Sequence, residues 1–245
     1  MADLGNPLEQ FEIRRLIPIE VGHVDVSFTN SSVFMVVIVV LVTALLLIGA
    51  SPRAMVPGRL QSIAELCYEF IANMVKENAG TAGMQYFPFI FTLFMFILFA
   101  NLLGLIPFSF TVTSHIIVTF AMALTVFIGV TLIGVAKHGF RFLSLFVPQG
   151  VPFLMLPLLV PIEIFSYCFR PISLSLRLFA NMMAGHTMLK VFAAFVVALG
   201  VLAGWAPLAF IVALTGLEIG IAMLQAYVFT ILACLYLNDS LHLHH

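Results

Sequence analysis

Five ionisable side chains interrupt the most apolar half of the chain: Glu163, Arg170, Arg177, Lys190 and Glu218. A charge at the centre of a lipid-embedded helix costs about 2.5–3.5 kcal/mol on insertion scales, so such residues mark ion paths, relays or buried pairs. Glu163, Arg170 and Arg177 recur every seven residues. At about 100° per residue that spacing drifts only ~20° per step and predicts one shared helical face. Ser173 and Asn181 stand one turn either side of Arg177 on the same general face. Glu218 and Gln225 are likewise seven apart on the last apolar segment. His186, nine residues beyond Arg177, falls on the opposite side of a straight helix, and Gly185 beside it permits a bend or a close helix approach. Imidazole titrates near neutral pH and passes protons. From the residues alone, such intramembrane charges are candidates for a functional site that faces water, a partner or one another. Arg170 and Glu163 equally fit a buried pair, and Lys190 fits a side chain that reaches back to an interface.

The elements that carry these residues are set by composition. Hydrophobic residues make up 62% of the 245-residue chain and charged residues 9%, with a mean hydropathy of +1.17. Water-soluble domains carry roughly 25% charged residues, so lipid is the solvent for most of this chain. In lipid every backbone N–H and C=O needs an internal partner, which leaves helices or a closed barrel. Barrel strands alternate apolar and polar residues over about ten positions. The runs here, such as Val33–Ala50 and Phe87–Phe108, are continuous and longer. The expected fold is an all-α polytopic membrane protein. It has about five membrane-embedded helices plus an amphipathic interfacial helix, the last two helices forming a long tilted hairpin.

A net charge of −1 speaks against nucleic acid as a partner and against a polybasic surface anchor. Cys67, Cys168 and Cys234 are scattered without metal-ligand spacing, so neither a metal site nor a cofactor is expected. No internal repeat or linker divides the sequence, and one membrane domain over 1–245 is expected. Residues 1–30 form a polar N-terminal segment that lacks the basic-then-apolar order of a signal peptide. Asn30-Ser31-Ser32 caps a first span to Ala50, ended by Ser51-Pro52-Arg53. Residues 57–78 place Leu60, Ile63, Ala64, Cys67, Phe70, Ile71, Met74 and Val75 at three-and-four spacing, with charges over much of the rest. That pattern predicts an amphipathic helix lying in the interface plane. Gly80–Gly83 reads as a loop, then spans follow at Tyr86–Ile106 and His115–Ala136, separated by a turn at Pro107–Ser114. Lys137 to Arg141 close the third span, Pro148 to Pro152 break the chain, and an apolar stretch runs on to Ala203. Its length far exceeds the ~20 residues of one upright crossing. Gly200–Pro207 reads as a turn and Asn238-Asp239-Ser240 as the stop of the last helix, before the short tail with His242, His244 and His245. Arg53, Arg59, Lys76, Lys137 and Arg141 fall on one side of this topology, and Arg14 and Arg15 on the other. The excess predicts an outer N-terminus, a cytoplasmic C-terminus and Trp205 at the outer interface.

The string around Arg177, Ser173-Leu-Ser-Leu-Arg177-Leu-Phe-Ala-Asn181-Met-Met-Ala-Gly185-His186, closely resembles the signature of subunit a of F-type ATP synthase. The resemblance extends to Leu224-Gln225-Ala226-Tyr227-Val228-Phe229 and to Asn101-Leu-Leu-Gly104-Leu-Ile-Pro107. It implies a non-catalytic stator subunit whose last two helices, within residues 151–237, lie as a tilted hairpin against a ring of c subunits. It further implies b-type peripheral-stalk subunits, the rest of the F1Fo complex and the lipid bilayer as partners, and a bacterial inner membrane as location. The family's essential arginine falls on Arg177. His186 and Glu218 fall on the outer half-channel; the family often has a carboxylate on the first helix and a histidine on the second, and here the two identities are exchanged. Asn181 and Gln225 match polar positions flanking the arginine, and Glu163 and Ser173 match the inner half-channel. Arg170 and Tyr227 receive no firm role.

Two other classes remain open at this point. A secondary ion-coupled transporter would bind substrate between inverted repeats, and no repeat is visible. An intramembrane hydrolase would need a nucleophile or a motif such as His-Glu-x-x-His, and no nucleotide loop of the Gly-x-x-x-x-Gly-Lys-Ser/Thr type is present either. Proton or sodium coupling depends chiefly on ring residues outside this chain.

Overall fold

The computed structural model describes residues 15–18, 20–21, 24–25, 27–50, 58–106, 110–147 and 155–241. Six α-helices carry the architecture: α1 (Asn30–Ala50), α2 (Arg59–Gly83), α3 (Phe87–Gly104), α4 (Ile116–His138), α5 (Leu156–Ala203) and α6 (Trp205–Leu241). Ahead of them lie two small antiparallel strand pairs, β1 (Arg15–Ile17) with β4 (Phe28–Thr29), and β2 (Glu20–Val21) with β3 (Val24–Asp25). Among the described residues five helical stretches are long and apolar enough to cross a membrane, α2 and α3 together making one of them. The chain is an all-α polytopic membrane protein.

α6 is the hub, packing against α2, α3, α4 and α5. Lipid tails are as apolar as leucine, so helix association here rests on close packing rather than on escape from solvent. α6 accordingly turns Ala222, Ala226, Ala233 and Cys234 inward, each 0% exposed. These short side chains let neighbouring backbones approach, and Phe229, Ile71, Met95, Val126 and Leu178 fill the space between. α1 lies outside this core, its Val36, Val39, Val40 and Leu47 exposed, with Ile38 its one buried large apolar side chain among the described residues. Its start is capped as expected, although Thr29 and Asn30 do the work: Ser31 N–H donates to Asn30 Oδ1 (2.9 Å) and Ser32 N–H to Thr29 Oγ1 (3.4 Å).

The apolar stripe expected over 57–78 is divided. Ile71, Met74 and Val75 enter the core, whereas Leu60, Ile63 and Phe70 stay exposed. Near its start α2 crosses α1 so closely that a Cβ on Gly49 would come within 2.9 Å of Ala64 Cβ.

Three expected breaks differ from the structure. Gly80–Gly83 is not a loop: α2 continues to Gly83 and only Gly80 leaves the helical region, at φ 65°. The Gly200–Pro207 turn is as tight, with Gly200 at φ 60° and α6 starting at Trp205. One glycine in the left-handed region redirects a helix without a longer loop. Asn238-Asp239-Ser240 does not stop α6, which runs to Leu241. Lys137 Nζ donates to the Leu241 carbonyl (3.3 Å) and His138 Nε2 lies 3.3 Å from the same oxygen. The Lys137 ammonium, with the His138 ring beside it, thus satisfies the orphan carbonyl and the negative pole of the α6 terminus. The break expected at Pro148–Pro152, the basic residues Arg14 and Arg53, and the histidine tail lie outside the described residues.

At 1.5 Å per residue, α5 with 48 residues spans about 72 Å and α6 with 37 residues about 55 Å. Both exceed the ~30 Å hydrocarbon thickness. Pro161 and Pro171 lie inside α5, where each removes a ladder hydrogen bond.

Candidate functional site

Arg177 sits on α5 between two other polar centres, about 10 Å along the axis from Arg170 and 13 Å from His186. It is exposed, and among the described residues its guanidinium has neither hydrogen bond nor ion pair. Ser173, Ala180, Asn181 and Ala184 are exposed along the same stretch. Below them the side chains Leu174, Leu178 and Met182 are buried against the bundle. The helix therefore buries one side and leaves open the side that carries Arg177.

Arg170 does not share that openness, so the common face expected from the seven-residue spacing is split. Its Nη1 donates to Asp239 Oδ2 on α6 at 3.1 Å, and the guanidinium carbon lies 5.2 Å from the Tyr167 ring and 4.8 Å from the Tyr236 ring. Tyr167 is 2.7 Å from Thr131 Oγ1 on α4 and packs against Phe127 and Phe142. The pairing with Glu163 that the sequence allowed is replaced by one with Asp239. Glu163 is half-buried and Ser173 exposed, and neither reaches the groups around His186 and Glu218.

Beyond Arg177 the polar residues of α5 and α6 converge. Asn181 Nδ2 donates to Gln225 Oε1 at 2.9 Å. Asn181, Gln225 and Glu218 line one cavity of about 190 Å³, closed by Leu105, Met182, Leu214 and Leu217. Gly185 borders it because the Glu218 carboxylate rests on its Cα; a Cβ there would overlap Oε1. The close approach read from Gly185 is thus present, and its occupant is Glu218. The carboxylate therefore stands one residue from His186, while His186 Nε2 reaches 3.3 Å to Thr111 Oγ1 on the other side. Glu218 Oε2 and Gln225 Nε2 are buried without a partner among the described residues. Unpartnered buried polar atoms bordering a cavity are the groups that an ordered water would satisfy.

Lys190, one turn past His186, is half-buried, and Tyr227 is partly exposed with its ring 5.9 Å from Phe70. Sequence reasoning gave no role to Thr111, Tyr167 or Thr131, took Asp239 only as part of a helix stop, and left Asn101 inside a quoted string. Asn101 is fully buried, its Nδ2 donating to the Ala222 carbonyl at 3.4 Å. An asparagine in an otherwise apolar span was the available signal; Thr111 lay in a segment that read as a plain turn. Among the described residues no cluster of His, Cys, Asp or Glu has the makings of a metal site.

Fold and site together define a multi-pass helical membrane protein whose terminal hairpin presents an open cation and a polar seam at membrane depth. The profile of the family described as ATP synthase A chain matches residues 32–238. ATP synthase subunit a of Pelagibacter ubique is 56% identical over 98% of this chain and 99% of its own length. The subunits a of Mesorhizobium japonicum and a Chelativorans species are 58% and 60% identical, over 100% and 97% of this chain and 99% and 98% of their own. The chain belongs to the ATP synthase A chain family. Membership makes it a non-catalytic component of the membrane sector, with the proton-channel stator role of subunit a.

Proposed function

We propose that Arg177 is the stator charge that couples proton movement to rotation of a ring of c subunits, each carrying one carboxyl group. The single observation behind this reading is the exposure of Arg177 on α5 without an acid partner among the described residues. A guanidinium with a pKa above about 12 stays charged at lipid depth, where an amine can lose its proton. A ring carboxyl facing it ionises, because an opposite charge favours the charged form. Neutral carboxyls pass into lipid and ionised ones do not, so the ring advances only when protons are exchanged. Each charge crossing the membrane delivers about 2.3 kcal/mol per 100 mV, which biases rotation in steps.

His186 and Glu218 serve the outer half-channel, with Asn181 and Gln225 holding water beside Arg177. Glu163 and Ser173 serve the inner one. The cavity bordered by the orphaned Glu218 and Gln225 atoms supports the outer assignment. Residues 151–237 act as a tilted hairpin against the ring, whose approach is favoured by Ala180 and Ala184 on the exposed side. The amphipathic segment expected over 57–78, whose described part opens α2, lies along the interface, and b-type peripheral-stalk subunits hold the chain still. The location is a bacterial inner membrane with the N-terminus outside and the C-terminus cytoplasmic; the sources of the relatives support the bacterial setting.

Cross-linking tests the docking. A cysteine replacing Ala180, one turn from Arg177, forms a disulfide with cysteines placed on the ring's outer helices. A cysteine replacing exposed Thr125 on α4 does not. Equal cross-linking at both positions, or at Thr125 alone, contradicts the assignment.

A further inference from the structure

The end of α4 turns an uncommon set of side chains outward. Gly139, at φ 57°, leaves the helical path, a conformation that costs little only without a Cβ. Gly139–Phe146 then winds as a short 3-10 segment. Its Phe142 points inward and is 5% exposed. A Cβ on Gly134 would overlap the Phe142 ring, which lies 6.3 Å from the rings of Phe146 and Tyr167. Tyr167 is in turn tied to Thr131. With Phe142 locked against α4 and α5, its neighbours are fixed outward. Phe140 is 94% exposed, more than any other large apolar side chain among the described residues, and Leu143 is 60% exposed.

Cations flank this bare ring. Lys137 and Arg141 are exposed and His138 is half-buried. Lys137 donates one N–H to the Leu241 carbonyl, and an ammonium has three. From Asn78 to Ile162 the sequence holds no Asp or Glu. Asp239, at the neighbouring end of α6, is paired with Arg170. The corner is therefore locally positive. Apolar surface continues from it along α4, where Val135, Leu132, Ile128 and Ile117 are between 46% and 71% exposed. Val126, Val130 and Gly134 are buried on the other side of the helix. Ile117 to Val135 covers about 27 Å at 1.5 Å per residue, close to the ~30 Å of hydrocarbon in a bilayer.

A phenyl ring and a leucine held out on a rigid turn are unfavourable in water and favourable among acyl chains. Phosphate complements the cations, since arginine offers it a planar fork and lysine a point charge. Basic clusters at the ends of membrane spans attract anionic headgroups. We propose that residues 137–143 bind an anionic phospholipid. Lys137 and Arg141 hold its phosphate group, while Phe140 and Leu143 sit among acyl chains that run on along the exposed face of α4. That continuity selects a lipid over a protein partner. The bound lipid steadies the end of α4 and, through Phe142 and Tyr167, the part of α5 beside Arg170. The inference is independent of the proton path and needs only that α4 crosses the membrane.

The test uses the assembled complex in phosphatidylcholine vesicles carrying a trace of photoactivatable phosphatidylglycerol or photoactivatable phosphatidylcholine. Lipid adducts on this chain are mapped by mass spectrometry after irradiation. Phosphatidylglycerol labels residues 137–143 at least about fivefold more than phosphatidylcholine, the factor one cation supplies at an anionic surface. Around Ile117, at the opposite end of α4, the two lipids label equally within about twofold. Replacing both cations, Lys137→Gln with Arg141→Gln, lowers the preference at 137–143 below about twofold. Equal labelling by the two lipids in the unmodified chain, or a preference unchanged in the double variant, overturns the headgroup site. Absence of labelling at 137–143 by either lipid overturns it too, because a protein partner then covers the corner. Salt replaces the double variant if that variant does not assemble. At about 1 M, where the screening length is about 3 Å, the preference of the unmodified complex falls below about twofold, and a preference that persists overturns the site.

Discussion

Two polar clusters lie on the α5–α6 hairpin, and they differ in how completely their groups are partnered. The cluster at Arg170 is closed: cation, acid, two aromatic faces and the Thr131 hydroxyl satisfy one another across three helices. The cluster at His186 and Glu218 is open, with a cavity and buried Glu218 and Gln225 atoms that find no partner among the described residues. A closed network fixes geometry, because every group loses something if a helix shifts. An open network keeps room for water and lets protonation change without breaking the bundle. The difference separates a tie from a path, and it explains why two arginines seven residues apart behave oppositely. Asp239 answers one of them, and among the described residues no acid answers the other.

The comparison can be broken or sharpened by substitution, starting with the open cluster. His186→Glu and Glu218→His singly lower ATP-driven pumping at least tenfold, roughly 1.4 kcal/mol of barrier each. The double exchange recovers severalfold over the worse single if the pair is coupled. A double mutant no better than that single removes the relay. Gly185→Ala comes next, since the added methyl displaces the Glu218 carboxylate. Pumping falls several-fold at unchanged membrane level, and an unaltered rate would mean that the carboxylate position is immaterial.

At the closed cluster the expected signature reverses. Asp239→Asn weakens a charged hydrogen bond worth about 1.5–3 kcal/mol, toward the lower end here because both side chains are partly exposed. The thermal midpoint of the solubilised complex drops by several degrees, while pumping per assembled complex changes less than threefold. Loss of pumping at unchanged midpoint would place Arg170 on the proton path. The smallest effect is Tyr167→Phe, which removes the Thr131 hydrogen bond and costs about 1 kcal/mol, read as a shift of a few degrees in the same melt.

Sequence alone revealed the lipid solvent, the helical class, the overlong final hairpin and the family signature around Arg177. Those features are repeated many times along the chain or are carried by rare residue types. The helix ends were less legible, because a single positive-φ glycine at 80 or 200 does the work a four- to eight-residue loop was expected to do. Asn238-Asp239-Ser240 looked like a stop signal by composition. Its use was decided by partners distant in the chain, Arg170 for Asp239 and Lys137 with His138 for Leu241. The shared face of Glu163, Arg170 and Arg177 failed for the same reason. Periodicity reports where a Cβ points, and a long guanidinium goes where an acid and two rings await it. Thr111 and Asn101 were invisible as site residues because their significance lies in burial, which spacing does not encode.

Replacing Arg177 by alanine probes the open cation most directly, with the assembled complex reconstituted and both ATP hydrolysis and proton pumping followed. Pumping is abolished while the chain remains at its normal level in the membrane, because no permanent charge is left to draw the proton from a passing ring acid. Substantial ATP-driven pumping by Arg177→Ala would contradict the account.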